Sequence, residues 1–248
     1  MPIENLLPYL HSFSQFHTPG PIPHLGTRYN TAGRFLPEPG NTVVCHLPVG
    51  SETEAAILAA RDRYLGMPEA RQLAFTPPSS LHMTLFQGII EHRRCLPFWP
   101  ADVPLHTPIE DMTAIFLDRL VGFEPCNPFE VEVTKATPIG LTLEGVTGED
   151  RLALKAWRNR LADLLGYRHP DHETYAFHIT FAYLMERFDD QAILRWQPFL
   201  EDIVLEIADQ VPVLEFNPPA FCSFEDMNHF EELLVFAPHS LADPIDGR

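Results

Sequence analysis

The chain lacks the usual marks of redox, zinc-ribbon and membrane proteins. It has only four cysteines, Cys45, Cys95, Cys126 and Cys222. They form no C-x-x-C pair, which argues against a zinc ribbon or a thioredoxin-like redox motif. No apolar run reaches the ~20 residues that a membrane-spanning helix needs. We therefore expect a protein that does not enter a membrane.

Positive charge is also scarce. The chain has 17 Lys and Arg against 34 Asp and Glu, which gives a formal net charge of −17 at pH 7. Affinity for nucleic acids rests mostly on Lys and Arg contacts to phosphates, so a long nucleic acid is a poor partner for this chain. A small phosphate ester or nucleotide remains a suitable partner, because a few local donors can hold one phosphate.

Length and composition indicate a globular protein. The chain has 248 residues, of which 45% are hydrophobic and 21% charged, enough to bury a sizeable core. Its first five residues lack the basic start and the apolar stretch of a secretory signal. We expect a cytoplasmic protein.

One short strand-like motif occurs twice. The first copy is Leu-His-Met-Thr-Leu at residues 81–85, and the second is Phe-His-Ile-Thr-Phe at residues 177–181. Because side chains alternate between the faces of a strand, His82 and Thr84 share one face and the apolar residues take the other. A lone strand histidine is more often a structural residue. Two copies with matched apolar positions favour a functional pair.

Two imidazoles flanking one cleft suit a reaction at phosphorus. One proton must leave the attacking oxygen and another must reach the leaving oxygen, and histidine does both near neutral pH because its ordinary pKa is about 6.5. The hydroxyls of Thr84 and Thr180 can donate hydrogen bonds to non-bridging phosphate oxygens. This interpretation makes His82 and His178 catalytic, and it requires no metal and no cofactor.

Each motif strand follows a helix. Ser51 and Glu54 predict the start of a helix over residues 51–65, ahead of a strand over residues 80–89. Thr147 and Asp150 predict the start of a second helix over residues 148–165, and Gly166 fits its end. A strand over residues 175–184 follows.

Other segments complete the predicted order. Further strands are predicted over residues 41–47, 114–120, 131–143, 211–216, 220–225 and 232–236, and further helices over residues 3–16 and 189–207. This order suggests an α+β or mixed-sheet architecture with a central cleft. Residues 1–40 are interpreted as an N-terminal arm that wraps a single domain over residues 41–248.

The paired motifs resemble those of the 2H phosphoesterase superfamily, which includes cyclic nucleotide phosphodiesterases, RNA 2′,3′-cyclic phosphodiesterases, 2′-5′ RNA ligase-like proteins and an RNA-trimming exonuclease. The resemblance spans roughly residues 41–236. Residues 30–33, Asn-Thr-Ala-Gly, and residues 39–47 are similar to a branch whose members lack an assigned substrate.

That resemblance implies a definite fold and activity. The fold would have two duplicated lobes, with antiparallel sheets lining a central cleft and helices outside. His82 and His178 would be the acid–base pair, and Thr84 and Thr180 would bind phosphate. The expected activity is a metal-independent hydrolysis or transfer of a cyclic phosphate or small phosphodiester, of the 2′,3′-cyclic nucleotide or RNA-end type, by a monomeric enzyme.

Side chains near the motifs could form the walls of a substrate site. Phe86 falls on the same strand face as His82 and Thr84 if the strand is regular, and Tyr175 stands at the mouth of the second motif strand. Both are expected to form a substrate wall. Three further residues, Arg28, Arg34 and Arg119, are candidate phosphate contacts whose direction the sequence does not fix.

Other interpretations stay open. His169, Asp171 and His172 are spaced closely enough to ligate a metal, although surface residues are the simpler interpretation of this loop. His46 is best interpreted as a buried, hydrogen-bonded histidine. As a whole, the protein could instead be a non-catalytic module that binds a nucleotide or phosphate ligand, or a structural protein whose histidines are satisfied in the core.

Overall fold

Residues 7–237 are described by a computed structural model, in which they form four α-helices and nine strands. The helices are α1 (Glu52–Leu65), α2 (Ile109–Leu120), α3 (Gly148–Leu165) and α4 (Asp190–Gln210). The strands are β1 (Gly40–His46), β2 (Leu73–Phe75), β3 (His82–Phe86), β4 (Val131–Thr137), β5 (Gly140–Gly145), β6 (Phe177–Thr180), β7 (Ala182–Leu184), β8 (Ala220–Phe224) and β9 (Glu231–Val235).

Seven strands form one antiparallel sheet in the order β4-β5-β6-β3-β1-β8-β9. The two motif strands, β3 and β6, are neighbours in the middle and pair at Met83 and Ile179. The strands of the two halves therefore meet in one continuous sheet, and a separate ribbon joins β2 to β7. The expected α+β class with antiparallel pairing is confirmed.

The repeated order of helix and motif strand is also present. α1 precedes β3, and α3 precedes β6. Thr147 and Asp150 form a reciprocal capping box at the start of α3, and Gly166 ends that helix with a left-handed φ of 85°. At α1 the Ser51 side chain accepts a hydrogen bond from the Glu54 amide. These local signals therefore predict both helix starts correctly.

The helices pack on the sheet and bury the apolar residues of the motif strands. α3 contacts β3 and β5, α2 contacts β1, and α4 contacts β4 and α1. Met83, Leu85, Ile179 and Phe181 have no exposed surface. None of the helices formed by residues 7–237 has the length and apolar character needed to cross a membrane.

Residues 114–120 form part of α2, so the strand predicted there is wrong. The buried side chains of α2 recur every three or four residues, at Ile109, Met112, Phe116 and Leu120. That spacing is helical, but the short apolar run over residues 114–117 looks like a buried strand when read alone.

Four other predicted strands differ from the structure. The strand predicted over residues 80–89 is shorter and covers only His82–Phe86. Residues 131–143 contain a turn and form the β4–β5 hairpin. Residues 175–184 divide into β6 and β7, which belong to different sheets. Residues 211–216 form only one isolated bridge, between Leu214 and Val131.

The N-terminal segment, residues 7–39, is tied to the rest of the chain. The Tyr29 hydroxyl donates to the carbonyl oxygen of Leu184 over 2.7 Å, and Arg187 donates to the carbonyl of Gly20 over 2.7 Å. Pro8–Phe13 form a 3₁₀ helix within the helix predicted over residues 3–16, whose first four residues lie outside the described range.

A close backbone contact fixes the loop after β3 against β1. A Cβ at Gly88 would lie 1.7 Å from the carbonyl oxygen of Asn41, well inside van der Waals contact. The amide of Asn41 also donates to the carbonyl of Ile89 over 3.0 Å. Only glycine lets the two backbones approach this closely.

We expect Gly88→Ala to lower the free energy of unfolding by roughly 1–3 kcal/mol, because the added methyl group must displace backbone. Urea titration measures the change. Gly148→Ala is the matched control and should cost nothing, since within residues 7–237 no atom lies within 4 Å of a Cβ at that position, apart from those of its chain neighbours and its own helix. Equal stability of the two variants would contradict this account of the loop.

Candidate active site

Both histidine–threonine pairs line one cavity of about 180 Å³. β3 supplies His82 and Thr84, and β6 supplies His178 and Thr180. Because β3 and β6 are adjacent antiparallel strands, their non-core side chains meet on the same side of the sheet. The cavity is smaller than the ~300–1,000 Å³ typical of sites for drug-sized ligands. It therefore suits a compact phosphate ester.

Both imidazoles are oriented by the same local hydrogen bond. Nδ1 of His82 lies 2.8 Å from the carbonyl oxygen of Ser80, and Nδ1 of His178 lies 2.9 Å from that of Ala176. A carbonyl oxygen only accepts, so each Nδ1 carries a hydrogen and donates it. In the neutral ring Nε2 is then the proton acceptor, and Nε2 is the atom that each histidine offers to a substrate.

Burial lowers the pKa of both imidazoles. At His82 the nearby imidazoles of His46 and His178 add to the effect of burial, the bond to the Ser80 carbonyl opposes it, and the pKa falls to about 3. At His178 burial again dominates, but the bond to the Ala176 carbonyl and the Asp171 carboxylate oppose it. Negative charge on a bound phosphate would raise both pKa values.

Tyr175 lines the cavity, as the sequence suggests for a substrate wall. Its ring lies 4.0 Å from the guanidinium carbon of Arg158, which fixes its position. Its hydroxyl is buried without a hydrogen-bond partner among the described residues. This hydroxyl is therefore a further donor that a ligand could use.

Phe86 does not line the cavity, and its prediction as a substrate wall is wrong. It is only 2% exposed and packs edge-to-face on Tyr167. Val43 pairs with Phe86 whereas Val44 pairs with Thr84, so Leu85 is an extra residue in β3. Such a bulge breaks the alternation of side chains, and Phe86 turns into the core.

Only one of the three candidate arginines lies at the cavity. Arg28 lines the cavity, whereas Arg34 is exposed elsewhere on the N-terminal segment. Arg119 donates to Asp102 over 2.7 Å and to the carbonyl of Leu165 over 2.6 Å. Its role is therefore structural.

Sequence reasoning missed several polar residues of the cavity wall, among them His24, Gln87 and Arg93. Gln87 follows the first motif strand directly, so its position was available from the sequence. Arg93 belongs to one of the few basic pairs of an acidic chain. His24 comes from a Pro- and Gly-rich segment with no periodic signal.

The loop histidines are buried, which corrects their interpretation as surface residues. His169 is 4% exposed and His172 is 8% exposed. Nδ1 of His169 lies 2.5 Å from Oε1 of Gln87, and Nε2 of His172 lies 2.9 Å from Oδ1 of Asn159. Within residues 7–237, no three His, Cys, Asp or Glu side chains form a group arranged to hold a metal.

His46 stands next to the site without lining it. Its Nδ1 lies 2.8 Å from Oε1 of Glu232, and its ring centroid is 6.0 Å from that of His82. The expected hydrogen bond is present, but His46 is half-buried and not buried as expected. Its proximity also contributes to the low pKa of His82.

Comparisons with known proteins find a family and a solved structure. A family model named 2H-phosphodiest, described as a domain of unknown function (DUF1868), matches residues 28–142. A crystal structure of the conserved protein of unknown function ATU0111 from Agrobacterium tumefaciens str. C58 is similar, with 50% sequence identity and a TM-score of 0.92. The similarity covers 94% of this chain and 100% of that one. None of the curated proteins compared matches the chain.

We expect His82 to stay neutral in the ligand-free protein from pH 8 down to pH 5, because burial lowers its pKa to about 3. Two-dimensional NMR of the imidazole nitrogens should show a proton on Nδ1 and none on Nε2 over this range. The spectrum of His82→Asn assigns the signal. Protonation of His82 near pH 6.5 would contradict the burial argument.

Proposed function

We propose that this chain, which belongs to the 2H phosphoesterase superfamily, hydrolyses or transfers a cyclic phosphate or small phosphodiester by two-histidine acid–base catalysis without a metal. The observation that carries the proposal is the shared cavity of His82, Thr84, His178 and Thr180. Substrates of the 2′,3′-cyclic nucleotide or RNA-end type fit this chemistry, and RNA processing is one context for it.

The chemistry needs two proton transfers at one phosphorus. In hydrolysis of a cyclic phosphate, one imidazole takes a proton from water through Nε2 as the water oxygen bonds to phosphorus. The bond from phosphorus to a ring oxygen breaks, and the second imidazole, as imidazolium, gives that oxygen a proton. Thr84 and Thr180 donate to the non-bridging oxygens, where negative charge grows. Solvent then restores the two protonation states.

The surroundings of the histidines favour one assignment of roles. Partial burial and the imidazoles of His46 and His178 disfavour the charged form of His82, against the bond to the Ser80 carbonyl. His178 has the equivalent bond to Ala176, so this bond does not distinguish the two histidines. His178 has the Asp171 carboxylate nearby, which favours the charged form. A single proton shared by the pair is therefore better placed on His178. We assign His82 as general base and His178 as general acid.

An adjoining groove has room for the rest of a substrate. Its volume is about 420 Å³, and it shares His178 and Thr180 with the cavity. Its wall includes apolar side chains from the N-terminal segment and from β5, among them Phe13, Tyr29 and Leu141. A nucleoside or a short ester chain could lie there. The net charge of −17 argues against a long nucleic acid as the partner.

A non-catalytic phosphate-binding module is the second candidate. The same hydroxyls and imidazoles could hold a phosphate without turnover. The two orienting bonds to Ser80 and Ala176 favour the enzyme, because a simple binding site does not need both Nε2 atoms kept as proton acceptors.

We expect turnover of at least one cyclic phosphate, and we expect it to survive exhaustive EDTA treatment because side chains supply both proton transfers. The panel contains 2′,3′-cyclic nucleotides, ADP-ribose cyclic phosphate and short oligoribonucleotides with cyclic-phosphate ends. Product is measured by chromatography. Binding without product would favour the binding module, and activity lost with EDTA and restored by Zn²⁺ would overturn the metal-independent mechanism.

We expect kcat/KM to follow a bell-shaped pH profile, since one imidazole must be neutral and the other charged. Loss of one hydroxyl by Thr84→Ala or Thr180→Ala should cost roughly 10²–10³-fold in kcat, as for other oxyanion donors. His92→Ala, which alters an exposed histidine outside the cavity, serves as the control. A flat profile, or threonine variants as active as the control, would count against acid–base catalysis at this cavity.

The roles of the two histidines can be separated with leaving groups. We expect His178→Ala to lose roughly 10²–10⁴-fold on an ester with an alkoxide leaving group but much less on a p-nitrophenyl ester, whose leaving group needs no proton. His82→Ala should lose activity on both esters. Rescue of His82→Ala alone by the p-nitrophenyl ester would reverse the assignment of base and acid.

A further inference from the structure

We propose that the cavity contains a second anion-binding subsite, formed by Arg93, Arg28 and His24, that holds a second phosphate group of the same substrate. The inference rests on the proposed function, because it specifies the substrate. The substrate would be a sugar-sized phosphate ester that carries one further phosphate.

Arg93 has no ion-pair partner among residues 7–237. Its side chain lines the cavity, and its Nε is buried without a hydrogen-bond partner in the part of the chain that the structure describes. It takes part in none of the ion pairs formed among residues 7–237. Its guanidinium carbon lies 4.6 Å from the centroid of the Phe98 ring. A half-buried guanidinium that is held in place and left unpaired is suited to bind an anion.

Arg28 is positioned for the same purpose. Its Nε lies 2.5 Å from Oε2 of Glu38, whose side chain is 1% exposed. Its guanidinium carbon lies 5.4 Å from the Tyr183 ring centroid. Glu38 engages Nε and the Tyr183 hydroxyl is a second neighbour of the guanidinium. A guanidinium has five N–H donors, so these two partners do not use all of them, and phosphate is an anion that guanidinium binds well.

His24 of the N-terminal segment lines the same cavity as the two arginines. It has a φ of 65°, the one positive φ of a non-glycine residue within residues 7–237. Its carbonyl oxygen accepts from the Arg28 amide over 2.9 Å, so the same turn supports Arg28. Burial and the two guanidiniums of Arg28 and Arg93 lower the pKa of His24, which reflects how close the three groups lie.

The balance of charge favours an added anion. Arg28 and Arg93 oppose one buried carboxylate, that of Glu38, and Asp171 acts on Arg93 more weakly. Burial and the charge of Arg28 both lower the pKa of Arg93. A phosphate dianion between the guanidiniums would relieve that repulsion.

The reacting phosphate does not need these arginines. Two threonines can serve its non-bridging oxygens, and two histidines serve the entering and leaving oxygens. Both sets of groups line one cavity of about 180 Å³. Two phosphates bound there must therefore sit on a scaffold of about the size of one sugar.

The test compares adenosine 2′,3′-cyclic phosphate with the same compound carrying a 5′-phosphate. We expect wild-type kcat/KM to be at least tenfold higher for the 5′-phosphorylated compound. In Arg93→Gln this preference should fall at least tenfold, and in Arg93→Lys by less. Arg34→Gln removes an exposed arginine of the N-terminal segment and should keep the wild-type preference. Thermal melts establish that each variant is folded.

Two outcomes would overturn the subsite. One is the absence of any preference in the wild type. The other is an equal loss on both compounds in Arg93→Gln, which would mean that Arg93 contacts the reacting phosphate. If neither compound is turned over, the proposed function fails, and calorimetry then tests the subsite alone. Binding should still favour the 5′-phosphorylated compound in the wild type and lose that preference in Arg93→Gln.

Discussion

The pairing of β3 with β6 is the contact on which the site depends. The two strands join the halves of the sheet at Met83 and Ile179, whose side chains are fully buried. Because neighbouring side chains on a strand point to opposite faces, anchoring these two residues in the core forces the adjacent histidines and threonines toward the cavity. A slip of one residue in either strand would send an imidazole into the core. Burial of apolar residues in the core thus fixes the register of β3 and β6, and that register determines which side chains face the cavity.

Two copies of one motif need not have one role. In both copies the histidine Nδ1 donates a hydrogen bond to the carbonyl oxygen two residues earlier. What differs lies outside the motif, where His46 stands next to His82 and Asp171 lies near His178. The two imidazoles can therefore differ in their tendency to carry a proton through their neighbours alone, and the assignment of acid and base proposed above depends on this difference.

The sequence predicts the parts of the fold that short-range rules determine. The capping residues Thr147 and Asp150 locate the start of α3, and the repeated apolar positions locate both motif strands and four site residues. Prediction from the sequence fails where the direction of a side chain depends on pairing between distant strands. The extra residue in β3 that turns Phe86 into the core depends on the partner strand. Arg93 lines the cavity because the loop after β3 folds back over β1. No local sequence pattern predicts that fold of the loop.

The elements that build the cavity differ in how freely they can change. The histidines and threonines stand on central strands, where most substitutions would disturb the core. Arg28 and His24 instead belong to the N-terminal segment, which is attached by contacts such as that from Tyr29 to the carbonyl of Leu184. The part of the wall that this segment supplies can therefore change while the strands that carry the histidines and threonines stay the same. Differences in the shape of the cavity among related chains would then be concentrated outside the sheet.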